Sequence, residues 1–324
     1  MPGPLFTQNT IAIIWDFDKT LIPGYMQEPL FRRFGVDGAE FWREVNRLPQ
    51  AYRERGAELV ARDTIYLNHI LAYVRAGRFR GLNNRMLREL GAELEFYPGV
   101  PEVFERLQRQ VTEKPEYIKR EIEVEHYVIS TGLRQMILGS SIAPWLEGVW
   151  ACEFVEGTPG PGYLAEERQG SFLSKAGPEI TEVAYAIDNT TKTRAVFEIN
   201  KGSNKNPEIH VNAAIAEELR RVPFENMIYV ADGPSDVPVF SVVNRNGGKT
   251  FAVYKAGSEA EFMQVNELQR QGRIHAFGEA DYRPESHTSM WLRTAVRQIA
   301  DRIVERHRRA VADRTGRAPT HIED

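Results

Sequence analysis

The sequence predicts a doubly wound α/β domain on a parallel sheet, and three observations carry that prediction. Short apolar, β-branched runs recur at Ile11-Ala12-Ile13-Ile14-Trp15, Tyr127-Val128-Ile129, Met227 to Ala231 and Thr250 to Tyr254. Helical patterns alternate with them, at Val100 to Gln110, Gln135 to Ser140, Thr193 to Asn200 and Asn212 to Arg221. Acidic or hydroxyl residues then follow three of the runs directly: Asp16, Ser130 and Asp232. Strands alternating with helices argue for a parallel sheet covered on both faces. In such sheets ligands gather beyond the carboxyl ends of the strands.

The first run is uninterrupted by polar residues, as expected of a central strand buried on both faces. The alternation breaks between Ile22 and Phe96. Helical patterns fill that stretch, at Glu40 to Arg47 and at Ala57 to Gly77, where Tyr66, Ile70, Leu71 and Val74 fall at helix spacing. A helical insertion over residues 23–92 is therefore expected. Tyr97-Pro98-Gly99-Val100-Pro101 punctuates the return to the main domain. Charge-rich residues 112–125 read as a surface excursion, Val149 to Ile187 as a β-hairpin with a loop over 157–162, and polar residues 201–211 as a second excursion. From Ser289 to about Val311 the pattern is a long, Arg-rich amphipathic helix, followed by a frayed tail. The organisation expected is thus an α/β core over residues 1–22 and 93–285, a helical unit over 23–92, and a C-terminal helix and tail over 286–324.

Composition narrows the function classes. The chain has 324 residues, 42% of them hydrophobic and 27% charged, ordinary values for one large globular domain or two modest ones. Its 41 basic and 45 acidic residues give a net charge of −4, which offers no support for general nucleic-acid binding. A small basic patch around a phosphorylated ligand stays open. The one cysteine, Cys152, excludes an intramolecular disulfide and a thiolate metal cage. That agrees with a reducing compartment. No apolar run approaches ~18 residues, and the N-terminus lacks the basic and apolar regions of a signal peptide. A soluble, cytoplasmic protein without a membrane partner is the expectation.

Four groups of residues carry chemistry. In Asp16-Phe17-Asp18-Lys19-Thr20 two carboxylates stand one residue apart at a strand end. A turn directly after Asp16 would divide their roles, one attacking or binding metal, the other moving protons. The same residues also suit an ordinary surface turn. Asp232-Gly233-Pro234-Ser235-Asp236 follows a second strand, and its acids offer the oxygen ligands that Mg²⁺ takes; it also suits a turn and helix start. Ser130-Thr131-Gly132 would form a hydroxyl and N–H cradle for phosphate at a helix start, or a plain N-cap. Lys192, in Thr190-Thr191-Lys192-Thr193-Arg194 ahead of the apolar pattern Ala195, Val196, Phe197 and Ile199, is placed to neutralise phosphate and carboxylates, or to lie in solvent.

The order of these groups resembles the four motifs of the haloacid dehalogenase superfamily of aspartate-nucleophile hydrolases: DFDKT, Ser130, Lys192 and ADGPSD. The resemblance covers roughly residues 9–22 and 93–285. The insertion over 23–92 resembles the helical cap of the phosphoserine-phosphatase-like branch, as does the hairpin ahead of Lys192. It implies Asp16 as a nucleophile forming an aspartyl-phosphate, and Asp18 as the acid and then base. It implies Mg²⁺ held by Asp16 and Asp232 and by the Asp18 carbonyl, with Asp236 supporting the metal directly or through water. Ser130, Thr131 and Gly132 would hold the phosphoryl oxygens, and Lys192 would stabilise charge. Two departures stand out. Ala231 precedes Asp232 where relatives often have Gly, and Lys192 lies unusually far before Asp232, so Lys201 and Lys205 compete for its role.

The expected activity is Mg²⁺-dependent hydrolysis of a small phosphate monoester. Phosphoryl transfer to another alcohol, or a catalytically silent phosphate-ligand binding protein, are the alternatives; Asp18 speaks against carbon–halogen cleavage. Glu28 with Arg32 or Arg33 would meet a substrate ammonium or carboxylate, or form a solvated face. His69 reads as a packed histidine, and Phe41, Trp42, Tyr66 and Tyr73 as the insertion's own core. The C-terminal helix, with Ile299, Ile303, Val304 and Val311, would pack on the core, touch an acidic partner or form a homo-oligomer.

Overall fold

The computed structural model describes residues 6–157, 160–164 and 179–315. Its frame is a seven-stranded sheet: β1 (Thr10–Trp15), β2 (Glu123–Leu133), β3 (Leu146–Glu156), β4 (Ile180–Tyr185), β5 (Met227–Ala231), β6 (Lys249–Tyr254) and β7 (Ala276–Glu279). The spatial order is β4-β3-β2-β1-β5-β6-β7, parallel throughout except that β4 runs antiparallel to β3. All six residues of β1 are buried, as the unbroken apolar run requires. Its two neighbours, β2 and β5, lie on opposite sides, so the strand order reverses at β1 and a crevice opens at its carboxyl end.

Six of the described helices lie between β1 and β2, and the first four fall in the stretch where an insertion is expected: α1 (Glu28–Phe34), α2 (Gly38–Glu54), α3 (Ile65–Arg75) and α4 (Asn84–Gly91). Their facing sides share an aromatic cluster in which Phe41 meets Phe31, Trp42, His69 and Tyr73. His69 is held there by Glu44, 2.7 Å from its Nε2. The chain then returns under the sheet's edge. Gly99 takes φ 86°, and a Cβ on it would sit 2.2 Å from the Tyr282 carbonyl carbon. Only glycine serves both demands, which explains the Pro-Gly signal.

Beyond this point α5 (Glu102–Thr112), α6 (Pro115–Ile118), α7 (Arg134–Gly139), α8 (Lys192–Lys201), α9 (Val237–Arg245), α10 (Glu259–Arg270) and α11 (His287–Thr315) complete the layers. The long α11 buries Leu292, Val296, Ile299, Ile303 and Val304 against the core, so most of the apolar stripe that suggested a homo-oligomer is already covered, while Val311 stays exposed. None of the described helices is long and apolar enough to cross a membrane.

Four local expectations need correction. Asn212 to Arg221 forms no helix, only a 3₁₀ turn at Glu217–Leu219, because no apolar face there is buried. Within Ala57 to Gly77 the helix begins only at Ile65. The charge-rich 112–125 segment carries α6, pinned by the buried Tyr117. β2 runs to Leu133, four residues past the apolar run, because after an irregular stretch it pairs with β3 again at Leu133↔Cys152. The hairpin expected over Val149 to Ile187 is present as β3 and β4, while part of its loop, and most of the expected tail, lie outside the described residues. Strand β7 and helices α9 and α10 have no counterpart in the sequence pattern described above.

His126, on β2, is fully buried. Its Nδ1 accepts from Trp15 Nε1 at 3.2 Å and its Nε2 donates to the Phe104 carbonyl at 3.2 Å, which fixes a neutral tautomer. Burial pushes its pKa down to about 3. The unfolded chain, at about 6.5, binds that proton first. Stability conferred by neutral His126 is therefore intact above about pH 6.5 and falls as pH drops from there toward 3, by up to ~1.4 kcal/mol per pH unit. Urea melts across that window will show a shallower acid limb for His126→Gln than for wild type; equal slopes would refute the assignment.

Candidate active site

Asp16 continues the ladder by donating its N–H to the Val230 carbonyl at 2.9 Å, so its side chain is delivered at the crevice. The chain then turns sharply. The Phe17 carbonyl accepts from the N–H groups of Thr20, Leu21 and Ile22, and Lys19 adopts the left-handed φ of 58°. That turn separates the two acids. Asp18 Oδ1 accepts from the Met26 N–H at 3.0 Å, while Asp16 Oδ2 accepts from the Thr20 hydroxyl at 3.1 Å. Thr20 is itself held by the Tyr282 hydroxyl, which donates to its carbonyl at 2.6 Å.

Lys192 is the first residue of α8. The Asp188 carboxylate accepts from the N–H groups of Thr190 and Thr191, fixing the turn that leads into this helix. From there the side chain reaches inward, and its ammonium donates to Asp16 Oδ1 and to Asp236 Oδ1, each at 2.7 Å. Lysine and both carboxylates are buried. Lys201 instead donates to the carbonyls of Val211 and Ala213, and Lys205 to Glu147. Neither competes at this site.

The second acidic loop is shaped by Gly233, whose φ of 155° and ψ of −132° are essentially closed to other residues. Past it, Asp236 is fully enclosed. Besides Lys192 it accepts from the hydroxyls of Tyr229 and, at 2.7 Å, Ser235. Carboxylate oxygens of Asp16, Asp232 and Asp236 lie within 4.8 Å of one another. Burial raises the pKa of Asp16 to about 6, the Lys192 charge opposing it and Asp236 reinforcing it. Asp232, less screened, rises to about 8 through burial and the charges of Asp16 and Asp236. For Asp18, burial and then Asp16 push the carboxyl well above its usual range. Lys192 goes the other way: burial alone would lower its pKa, but the two carboxylates hold it above the usual ammonium value. One ammonium thus faces several crowded carboxylates, an all-oxygen donor set of the kind hard divalent cations take. Asp236 accepts three hydrogen bonds, from Lys192, Tyr229 and Ser235, and Asp16 two, from Lys192 and Thr20.

Ser130, Thr131 and Gly132 reach the same crevice, but as the last turn-free residues of β2, since α7 starts only at Arg134. The cradle expected at a helix start is therefore not formed in that way. Gly132 donates its N–H to Ser130 Oγ at 3.0 Å, and the Leu133 N–H faces Met26 Sδ at 2.9 Å. Tyr66, from α3, donates to the Thr131 carbonyl at 2.7 Å and ties the inserted helices to the strand end. Glu28, Arg32 and Arg33 lie elsewhere: Arg32 pairs with Glu93 at 2.9 Å on the surface, and Glu28 and Arg32 line a separate cavity with Tyr25 and Glu93.

Sequence reasoning missed Thr20, Tyr66, Tyr229, Ser235 and Tyr282 as site residues. Thr20 and Ser235 sit inside the quoted motifs and were within reach. Tyr229 is a lone polar atom within a strand run, and nothing local marks Tyr66 or Tyr282.

No family model matches the chain. An uncharacterized protein of Borreliella burgdorferi is 40% identical over 288 residues, covering 88% of this chain and 96% of that protein, and the chain belongs to one family with it. Among solved structures, a HAD family hydrolase from Salmonella enterica serovar Typhi is similar at TM-score 0.45 and 14% identity, over 85% of this chain and 68% of that one. Cytosolic 5′-nucleotidase IIIB bound to cytidine is similar at 0.47 and 12%, over 91% and 88%. A probable phosphoserine phosphatase from Vibrio cholerae is similar at 0.46 and 12%, over 92% and 68%.

If crowding of charge dominates this site, Asp232→Asn will stabilise the metal-free protein by about 1 kcal/mol or more, since a like-charge contact is removed from a partly buried position. If a divalent cation raises the wild-type Tm, the same variant will lose most of that shift. A metal-free Tm below wild type, with a cation-induced shift kept at the wild-type size, would refute both halves.

Proposed function

We propose that the chain is a Mg²⁺-dependent phosphomonoester hydrolase of the haloacid dehalogenase type, acting on a small phosphorylated metabolite in the cytoplasm. The observation that carries this reading is the buried Asp16–Lys192–Asp236 bridge, with Asp18 turned away from it on the other side of a tight turn. Such a pair of carboxylates in unlike environments is what nucleophilic and acid–base roles require.

In this reading Asp16 attacks phosphorus with one carboxylate oxygen, and the phosphorus–oxygen ester bond breaks as an aspartyl-phosphate forms. The departing alkoxide takes the proton of Asp18, whose carboxyl is held protonated by burial and by Asp16. Asp18, then a carboxylate, accepts a proton from water as the water attacks phosphorus, and inorganic phosphate leaves with Asp16 regenerated. Lys192 stabilises charge on Asp16 and on the phosphoryl oxygens. Ser130 would donate to a phosphoryl oxygen, with the Thr131 and Gly132 backbone beside it. Asp16, Asp232 and the Asp18 carbonyl would hold Mg²⁺, and Asp236 would orient the set through Lys192. When bound, the ion offsets the repulsion between a phosphate dianion and these carboxylates.

The helices over 23–92 act as a cap in this reading, supported by two contacts to the site: Met26 to Asp18, and Tyr66 to Thr131. Gln27, beside Met26, is 2% exposed and its Oε1 has no hydrogen-bond partner among the described residues. A buried acceptor left unpaired is costly, and a hydroxyl or amine on the substrate would satisfy it.

Hydrolysis of an aryl phosphate by wild type will require Mg²⁺, stop with chelator and vanish in Asp16→Asn. Asp18→Asn will lower kcat by about 10²–10⁴-fold. Mg²⁺-dependent turnover that survives in Asp16→Asn would rule out the aspartyl-phosphate route; trapping of phosphate on Asp16 with release to added alcohols instead of water would favour a phosphotransferase. For the best substrate in a screen of metabolite phosphates, Gln27→Leu will raise KM by about tenfold while aryl phosphate hydrolysis is little changed. Equal loss on both substrates would assign Gln27 a structural part only.

A further inference from the structure

A groove of about 560 Å³ runs between α5 and α11, apart from the acidic site, and four arginines line it: Arg106, Arg109, Arg293 and Arg297. Arg109 pairs with Glu113 at 2.8 Å. The other three make no ion pair with a carboxylate among the described residues: Arg106 donates to the Tyr282 carbonyl, and Arg293 donates to the Pro284 carbonyl at 3.2 Å. The carboxylates of Glu102 and Glu285 act on Arg106 and that of Asp301 on Arg297 without pairing with them, so the positive charge of the groove is only partly offset. Burial lowers the Arg106 pKa from its usual value, Glu102 opposes that, and Arg293 adds to it.

The groove also contains an unmet acceptor. Gln110 spans it, donating Nε2 to the Arg293 carbonyl at 2.8 Å, while its buried Oε1 has no hydrogen-bond partner. Its volume is in the usual range for small-molecule sites and exceeds what one phosphate fills. Met290, an exposed apolar side chain, supplies a wall suited to an organic moiety.

We propose that this groove binds a small organic anion that carries two or more phosphate groups together with a hydroxyl or amino donor, as a nucleoside diphosphate does. Guanidinium forks match phosphate oxygens two at a time, so Arg293 and Arg297 from α11 and Arg106 from α5 grip the phosphates from opposite walls. Gln110 Oε1 accepts from the organic part, and Met290 packs against it. A long nucleic acid is disfavoured, because the chain's net charge is −4.

Isothermal titration of ADP and of tripolyphosphate into full-length Asp16→Asn protein, in chelator, tests this away from any turnover. ADP will bind one saturable site and weaken with salt. Arg297→Gln, at an exposed position without an ion-pair partner, will weaken ADP and tripolyphosphate by about tenfold each, and Arg293→Gln/Arg297→Gln by more. Gln110→Ala will weaken ADP but leave tripolyphosphate unchanged. The proposal is overturned by absence of saturable binding, by ADP binding that Arg297→Gln and the double variant leave unaltered, or by binding of duplex DNA alone.

Discussion

Everything at the crevice depends on the Lys192 ammonium between Asp16 and Asp236. Three carboxylates brought to one sheet edge, two of them buried, would repel one another and lose their hydration; one buried cation, 2.7 Å from each of two partners, makes the cluster tenable. The bridge joins the end of β1, the start of α8 and the loop after β5, three segments far apart in sequence. Removing one member would leave buried charge uncompensated, which typically costs about 3–5 kcal/mol. Thr20 and Ser235 then satisfy the carboxylate oxygens that the lysine does not reach, and Tyr229 shares Asp236 Oδ1 with it.

The topology decides where that bridge can form. Because β2 and β5 flank β1 on opposite sides, the ends of all three strands face one crevice, and residues that follow them meet there. Tyr282, at the turn leading into α11, closes the arrangement from behind: its ring packs on Trp15, its N–H donates to the Pro98 carbonyl, and its hydroxyl holds Thr20. The close approach at Gly99 is part of the same junction. Helix α11 is thereby committed to the core through Leu292, Val296, Ile299, Ile303 and Val304, while its arginines, with Met290 and Val311, are left toward solvent.

What could be read from the sequence was whatever local pattern determines. Unbroken apolar runs marked β1, β5 and β6, and the acids at their ends marked the crevice. Lys192 stood out from Lys201 and Lys205 only by its place ahead of an apolar helical pattern, and that place is what lets it turn inward. Where nonlocal pairing decides, pattern failed. Ser130 to Gly132 look like a helix start, yet they lie inside β2, in an irregular stretch between the pairs Ile129↔Trp150 and Leu133↔Cys152 with β3. Asn212 to Arg221 have helical spacing but no surface to bury it against, and the buried Arg221 is held by Glu125 and Tyr127 instead. The tyrosines that steady the site are ordinary core residues until the fold brings their hydroxyls to it.

The unequal environments of the carboxylates also bear on the choice between a hydrolase and a silent binding protein. A protein that only binds phosphate would be served by cations and N–H donors, and each added carboxylate would weaken it. Here four acids surround a single buried ammonium, and the one placed apart from the bridge, Asp18, is also held toward its protonated form by burial and by Asp16. In the proposed reaction, a neutral carboxyl beside an ionised one would be a proton source set next to a nucleophile. The excess negative charge would likewise make a phosphate ester and a divalent cation favour each other's binding. That coupling is reciprocal, so the carboxylates that make the free site hostile to a dianion would make the proposed activity depend on a cation.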